Sequence, residues 1–451
     1  MKIERRKSMI KLSNHFTYSK LFKFTLPSIG MMMFISIYTI VDGIFVSNFA
    51  GDIPFKALNL IFPFLMILGT VGFMFGTGGT ALVAKTMGEG DIKKSNEYFS
   101  LFVYLTFVLG IIFEILGIIF MRPIATLLGA TGELQDNCVM YGTIILLALP
   151  FLVLQYLFQS FIVAAEKPRL GLIITLISGI TNIILDAILV LLLPKELKLA
   201  GAASATAFSQ FIGGLLPLIY FSRKNNSILR LGKTKLYVRA IFKACINGSS
   251  EFMSTIAMNI VAMLYNIQLI KYAGTDGIAA YGVMQYIGMI FSGAFIGYTI
   301  GSAPIISYHY GAKNHDELRN VRKKGMVIIC VSGLIMLLFA QIFAKPLTNI
   351  FVRSNKSLVE MTVNGFRIYS FVFPFMGFAI MGSGFFTALN DGVTSATISF
   401  LRTLVFQVGA VLLLPIMFKV NGIFASVVVA EFVAVMFTIM FLIIKRKKYN
   451  Y

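Results

Sequence analysis

The 451 residues contain no tryptophan, three histidines, three cysteines and nineteen acids, and each shortage removes a class of function. Cys138, Cys245 and Cys330 are odd in number and far apart in sequence, so they indicate neither a disulfide framework nor a zinc site and read as apolar fillers. His15, His309 and His315 fall at ends of, or links between, apolar runs; there is no histidine pair, no metal-ligand spacing and no nucleophile beside a base, which speaks against an enzyme. Charged residues make up 13% of the chain, against roughly 25% in soluble domains. With 57% hydrophobic residues and a mean hydropathy of +0.84, no soluble fold explains the balance.

What is abundant is apolar sequence in runs long enough to cross a hydrocarbon core of roughly 30 Å as helices. Spans are expected near residues 24–49, 57–85, 98–121, 135–158, 169–193 and 200–221, then 244–272, 278–310, 325–344, 357–387, 393–416 and 421–444. The expected fold class is an all-α membrane protein of twelve transmembrane helices in two pseudo-symmetric six-helix lobes. Residues 1–222 make an N-lobe with a basic N-terminal extension, 223–243 a linker, and 244–451 a C-lobe with a basic tail. The net charge of +20 gathers in the links and ends, the topology signal of membrane proteins, not on a face that would bind nucleic acid. The 223–243 linker carries Arg223, Lys224, Arg230, Lys233, Lys235, Arg239 and Lys243 with no acid, which places it, and both termini, in the cytoplasm of a cell membrane. The first twenty residues lack a signal-peptide core and a cleavage site.

The halves repeat. At an offset of 223 residues Ala50-Gly51 falls on Ala273-Gly274, Gly78 on Gly301, Gly88 on Gly311 and Arg122-Pro123 on Lys345-Pro346. At 224 Pro150 falls on Pro374, Phe161 on Phe385 and Ala164 on Ala388; at 221 Lys198 meets Lys419, Gly201 meets Gly422 and Phe211 meets Phe432. Each half has an even number of spans, so the halves share one orientation about an axis along the membrane normal, with a cavity expected between them.

Five acids sit inside spans: Asp42, Glu114, Asp186, Glu251 and Glu431. Each costs roughly 2.5–3.5 kcal/mol at a helix centre, so each needs a reason to be there. Asp42 and Asp186 lie about seventeen residues, or about 25 Å, into spans that enter from the same side, which puts both carboxylates in one layer. Asn182 precedes Asp186 by one turn, and Thr206 meets the same layer from the opposite direction. Such oxygen ligands suit a hard monovalent cation or a proton-binding pair. The alternative, that each acid pairs with a buried base, is weakened by the absence of basic residues inside these spans. Glu251 has two readings, contact with a cationic substrate or pairing near Lys271 or Arg402. Glu431 falls on Gln210 in the repeat and reads as polar packing, and Glu114 has no assigned role. Gln155, Gln159 and Met284 complete the substrate-binding candidates beside Glu251. The Gly-rich FGTGGT stretch reads as close helix packing, not as a phosphate loop.

These residues resemble the multidrug and toxin extrusion (MATE) family, most of all its MepA-like bacterial branch. The similarity rests on LPSIG and VDGIFVSNFAG in the first span, MGEGD after the second, AAEKPR after the fourth, TNIILDAIL in the fifth and GAASATAFSQ in the sixth, then GSSEF and YAGTDGIAAYG. The resemblance implies efflux of organic cations by alternating access, driven by inward H+ or Na+, with no cofactor and no other metal. It places Asp42, Asn182, Asp186 and Thr206 at the N-lobe cation site and Pro27 where the first helix bends. The expected partners are small organic cations and the bilayer, with no nucleic acid, and the expected state is a monomer. The rival is a lipid or lipid-linked saccharide flippase of the same superfamily, for which only Arg367 and Arg402 are candidate cavity arginines.

Overall fold

The computed structural model describes residues 10–49, 51–351 and 356–451. The first nine residues of the expected N-terminal extension, and Ala50 of the repeat, lie outside the described residues. The first lobe contains α1 (Tyr18–Phe49), α2 (Asp52–Gly88), α3 (Ile92–Leu127), α4 (Gly132–Leu147), α5 (Leu149–Ala164), α6 (Pro168–Leu192) and α7 (Lys198–Ser222). The second contains α8 (Val238–Gly311), α9 (His315–Phe351), α10 (Lys356–Ser370), α11 (Val372–Ala388), α12 (Gly392–Phe400) and α13 (Gln407–Tyr449), with a π-helical stretch, Leu401–Phe406, before α13. Hydrocarbon offers no water to backbone N–H and C=O groups, so each span closes its own hydrogen bonds as a helix.

Among the described residues twelve spans result, six to a lobe. α8 holds two spans joined at Gly274 (φ 63), and the chain from α12 to the end of α13 holds two joined at Lys419 (φ 50). The sequence leads one to expect single helices at 135–158 and 357–387, and here the structure differs. Each of these spans is a bent pair, α4 with α5 at 56° and α10 with α11 at 44°. Proline explains both bends: Pro150 and Pro374 lie near the start of α5 and α11, where each lacks an N–H and crowds the helical backbone before it.

The repeat is written in the backbone as well. Left-handed residues recur at equivalent places: Gly51 and Gly274, Gly90 and Lys313, Glu166 and Asn390. The lobes meet through α1 and α2 against α8. Gly88 and Gly311 each lie flat on the other lobe's helix, so that a Cβ on Gly88 would run into the Tyr308 carbonyl oxygen and one on Gly311 into that of Lys85. Tyr308 and Lys85 are themselves equivalents, so the pseudo-two-fold axis passes between the two glycines. Interlobe hydrogen bonds run from Ser36 Oγ to Met289 O (3.1 Å), Thr70 Oγ1 to Thr255 Oγ1 (3.2 Å) and Asn390 Nδ2 to Ala81 O (3.2 Å). All lie between the middle of the helices and the end that bears the basic links.

At that end a strap precedes α1. Leu12 and Phe16 are fully buried. The Leu12 amide donates to Glu166 of the N-lobe (2.7 Å), the Phe16 amide donates to Glu317 of the C-lobe (2.8 Å), and His15 Nδ1 lies 2.6 Å from Glu317. The linker is also built in. α8 starts at Val238, so the last residues of the expected 223–243 link form its first turns. The part before it runs along α3, with Arg230 N donating to Asn96 Oδ1 (2.6 Å), Gly232 N to Ser100 Oγ (3.0 Å) and the Tyr237 hydroxyl to the Glu97 carboxylate.

Candidate ion-coupling site

α1, α6 and α7 bring Asp42, Asn182, Asp186 and Thr206 together. Gly179 lets α1 close on α6, because the ring edges of Phe34 and Tyr38 occupy the place a Cβ would take. One turn before Asn182, Ser178 and Ser209 exchange hydrogen bonds, Ser178 Oγ to Ser209 O (2.8 Å) and Ser209 Oγ to Ser178 O (2.9 Å), which clamps α6 to α7. Asp186 is fully buried, Asn182 nearly so, and Asp42 and Thr206 are half-buried.

Asn182 Nδ2 points to Thr206 Oγ1 at 3.4 Å, a long contact that leaves Asn182 Oδ1 without a donor. Both Asp186 oxygens and Asp42 Oδ1 are likewise buried without a donor, although the two carboxyls lie within hydrogen-bond reach of each other. Adjacent carboxylates out of water cost several kcal/mol apiece unless a proton or a cation joins them. With oxygen donors alone and neither thiol nor imidazole, the set fits a proton or a hard cation and not a soft transition metal.

Tyr38 and Tyr141, which sequence reasoning passed over, border this layer. Tyr38 precedes Asp42 by one turn and lies beside Gln155, and Tyr141 is within electrostatic reach of both acids. The four-residue spacing of Tyr38 and Asp42 is the signal that could have found the first. Gln155 and Gln159 line a cavity of about 10 Å³ inside the N-lobe with Met31 and Pro217, room for one water and not for a drug. Met284 is fully buried in the C-lobe core, packed against Gly365. In this conformation these three candidates therefore sit inside the lobes, away from the gap between them.

Glu251 is different. Gly248 lies against Met74 of α2 and Thr255 bonds Thr70, so Glu251, between them on α8, shares the face that meets the N-lobe. Arg402 is within its electrostatic reach, yet that guanidinium is engaged: Arg402 Nε donates to both oxygens of the fully buried Glu431, at 2.8 and 2.9 Å. Lys271 lies over the Tyr272 ring at 5.2 Å. Glu251 thus has no ion pair among the described residues. Glu114 stands among Ile111, Ile112, Ile115 and Leu116 on the outer, lipid-facing side of α3. Pro27 is buried within an unbroken α1, where it denies a backbone donor to the Lys23 carbonyl.

The MatE family model matches residues 27–188 and 252–412, once in each lobe. The chain belongs to the MatE family. As a MatE protein it is a multi-pass membrane transporter and not an enzyme. The multidrug export protein MepA of Staphylococcus haemolyticus is 28% identical over 444 residues, covering 95% of this chain and 94% of that one. MepA of Staphylococcus aureus is 26% identical over 418 residues, with 91% and 89% covered. Among solved structures, an outward-facing multidrug resistance MATE family transporter of the MOP superfamily superposes with a TM-score of 0.92 at 19% identity, over 98% and 99% of the two chains. A MOP superfamily transporter from Pyrococcus furiosus gives 0.87 at 21%, over 97% and 98%. These two likenesses establish the shared MatE fold.

Proposed function

We propose that this chain is a multidrug efflux transporter that exchanges organic cations for H+ or Na+ by alternating access, coupled through Asp42, Asn182, Asp186 and Thr206. The observation that carries the reading is the set of four buried acceptor oxygens, on Asp42, Asn182 and Asp186, that have no donor. The export role named for the two MepA relatives supports the cargo class. A proton or Na+ arriving at the paired carboxylates removes their net negative charge, and a drug cation held by that field loses part of its attraction. By reciprocity a bound drug weakens ion binding. Glu251, unpaired on the face of α8 that meets α2, supplies a second negative group for the cargo. A flippase reading has less support, since Arg402 is bound to Glu431 and the exposed Arg367 stands alone.

In this reading the basic links and both termini are cytoplasmic. A cysteine at Lys233 then escapes an impermeant thiol reagent in intact cells while one at Lys356 is labelled, and the reverse pattern overturns the orientation. The coupling is tested by titrating a fluorescent cation such as ethidium onto purified protein at several pH and Na+ values. Apparent affinity should fall as one of the two ions rises, and that dependence should vanish in Asp42→Asn. Affinity indifferent to both ions removes the coupling role from these residues.

A further inference from the structure

At the basic end of the C-lobe, the start of α8, the start of α12 and the end of α13 enclose a groove of about 400 Å³. Three cations line it, Arg239, Lys243 and Lys448, all exposed and none in an ion pair among the described residues. The acid that shares the groove, Asp391, does not neutralise them. It accepts hydrogen bonds from the Tyr449 hydroxyl (2.8 Å) and the Thr394 amide (3.3 Å), and Lys445 lies 3.6 Å away. Burial pushes the Asp391 carboxyl up, but those hydrogen bonds and the Lys445 charge outweigh it and hold it below the ordinary aspartate value.

The same groove has an oily side. Phe242, Ile246 and Val393 line it and remain 66%, 50% and 67% exposed, although each sits within the first turns of a membrane-spanning helix. Spare positive charge beside open apolar surface, at the level where helices leave the hydrocarbon, matches one kind of molecule: an anionic head attached to acyl chains. Basic pockets between helices at a membrane surface are suited to phosphate-bearing lipid heads. We propose that this groove is a binding site for an anionic phospholipid, its phosphate held by Arg239, Lys243 and Lys448 and its chains lying along Phe242, Ile246 and Val393.

The site also touches the seam between the lobes. Its floor includes Asn247 and Asn390, joined by a hydrogen bond from Asn247 Nδ2 to Asn390 Oδ1 (3.2 Å), and Asn390 Nδ2 reaches on to Ala81 O of α2. A lipid seated there braces the loop that ties the C-lobe to the N-lobe, and so favours the conformation described. This inference requires neither the coupling site nor the membrane orientation proposed above.

The test is native mass spectrometry of the full chain released from detergent after incubation with phosphatidylglycerol, phosphatidylcholine, or phosphatidylglycerol plus millimolar inorganic phosphate. The wild type should retain phosphatidylglycerol in preference to phosphatidylcholine and keep it in the presence of phosphate. Arg239→Gln, Lys243→Gln and Lys448→Gln together should lower its retention by roughly tenfold or more, with graded losses in the single variants. Lys93→Gln, Lys233→Gln and Lys235→Gln together, three exposed cations on the N-lobe side, should leave it unchanged. Equal retention of the two lipids, or equal loss in both triple variants, overturns the site. Displacement by inorganic phosphate overturns the lipid assignment in favour of a free phosphate.

Discussion

At the repeat offsets Asp42 of α1 falls on Tyr265 of α8, Thr206 of α7 on Val427 of α13, and Gln159 of α5 on Ser383 of α11. Tyr265 stacks on Tyr281 with ring centroids 4.8 Å apart, and Ser383 is bonded to Ser395 (2.9 Å) and Ser399 (2.8 Å). The fully buried acid of the C-lobe, Glu431, has Arg402 for a partner. In the N-lobe the corresponding interior leaves both carboxyl oxygens of Asp186, the Oδ1 of Asn182 and both amide atoms of Gln159 without partners among the described residues. Duplication therefore preserved the backbone while the two cores diverged in chemistry. The C-lobe answers its fully buried acid, Glu431, with protein, and the N-lobe leaves Asp186 to be answered from outside.

That contrast is sharpest if the two buried acids are neutralised in turn. Glu431→Gln leaves the Arg402 charge stranded and should cost roughly 3–5 kcal/mol, whereas Asp186→Asn removes a charge that had no counterpart and should leave stability equal or higher. Thermal unfolding in detergent measures both, with export of ethidium from cells as the second readout: Asp186→Asn should abolish export while the protein stays folded. Equal destabilisation by the two changes would erase the distinction between the lobes.

A smaller asymmetry concerns the strap. Glu317 receives the Phe16 amide, His15 and Asn320 Nδ2 (2.8 Å), while Glu166 receives the Leu12 amide. Glu317→Gln should loosen the C-lobe anchor by roughly 1.5–3 kcal/mol and Glu166→Gln the N-lobe anchor by about 1 kcal/mol. Hydrogen exchange at residues 10–17 should follow that order, and the reverse order would show that the strap is held from the N-lobe side. The least effect is expected at the serines. Ser178→Ala should cost about 1 kcal/mol and weaken ion binding a few-fold by freeing α6 from α7, while Ser395→Ala should leave ion binding as it was. A matching loss from both would deny the clamp its role at the site.

The layer of Asp42, Asn182, Asp186 and Thr206 was legible in the sequence because a fixed rise per residue turns position along a span into depth. The twelve spans were legible for the same reason, and the repeat fixed their pairing. The bends after α4 and α10 were not, since Pro150 and Pro374 were seen as matching positions and not as places where a donor is missing. Nor was the strap: Leu12 and Phe16 stand among basic residues with no period to mark them as buried, and their partners Glu166 and Glu317 are 154 and 301 residues away. The burial of Met284 in the C-lobe core was not legible for a related reason, because composition cannot say which side of a helix a methionine takes.

Gly88 and Gly311 give the two lobes a bearing made of main chain alone. Under the alternating access proposed above, no rotamer has to change there as one lobe rolls on the other, so the work of rocking would fall on the rim, where the strap and the Asn390 loop would have to let go. A single methyl group at either glycine would act as a shim, prying the lobes apart by the same amount from either side.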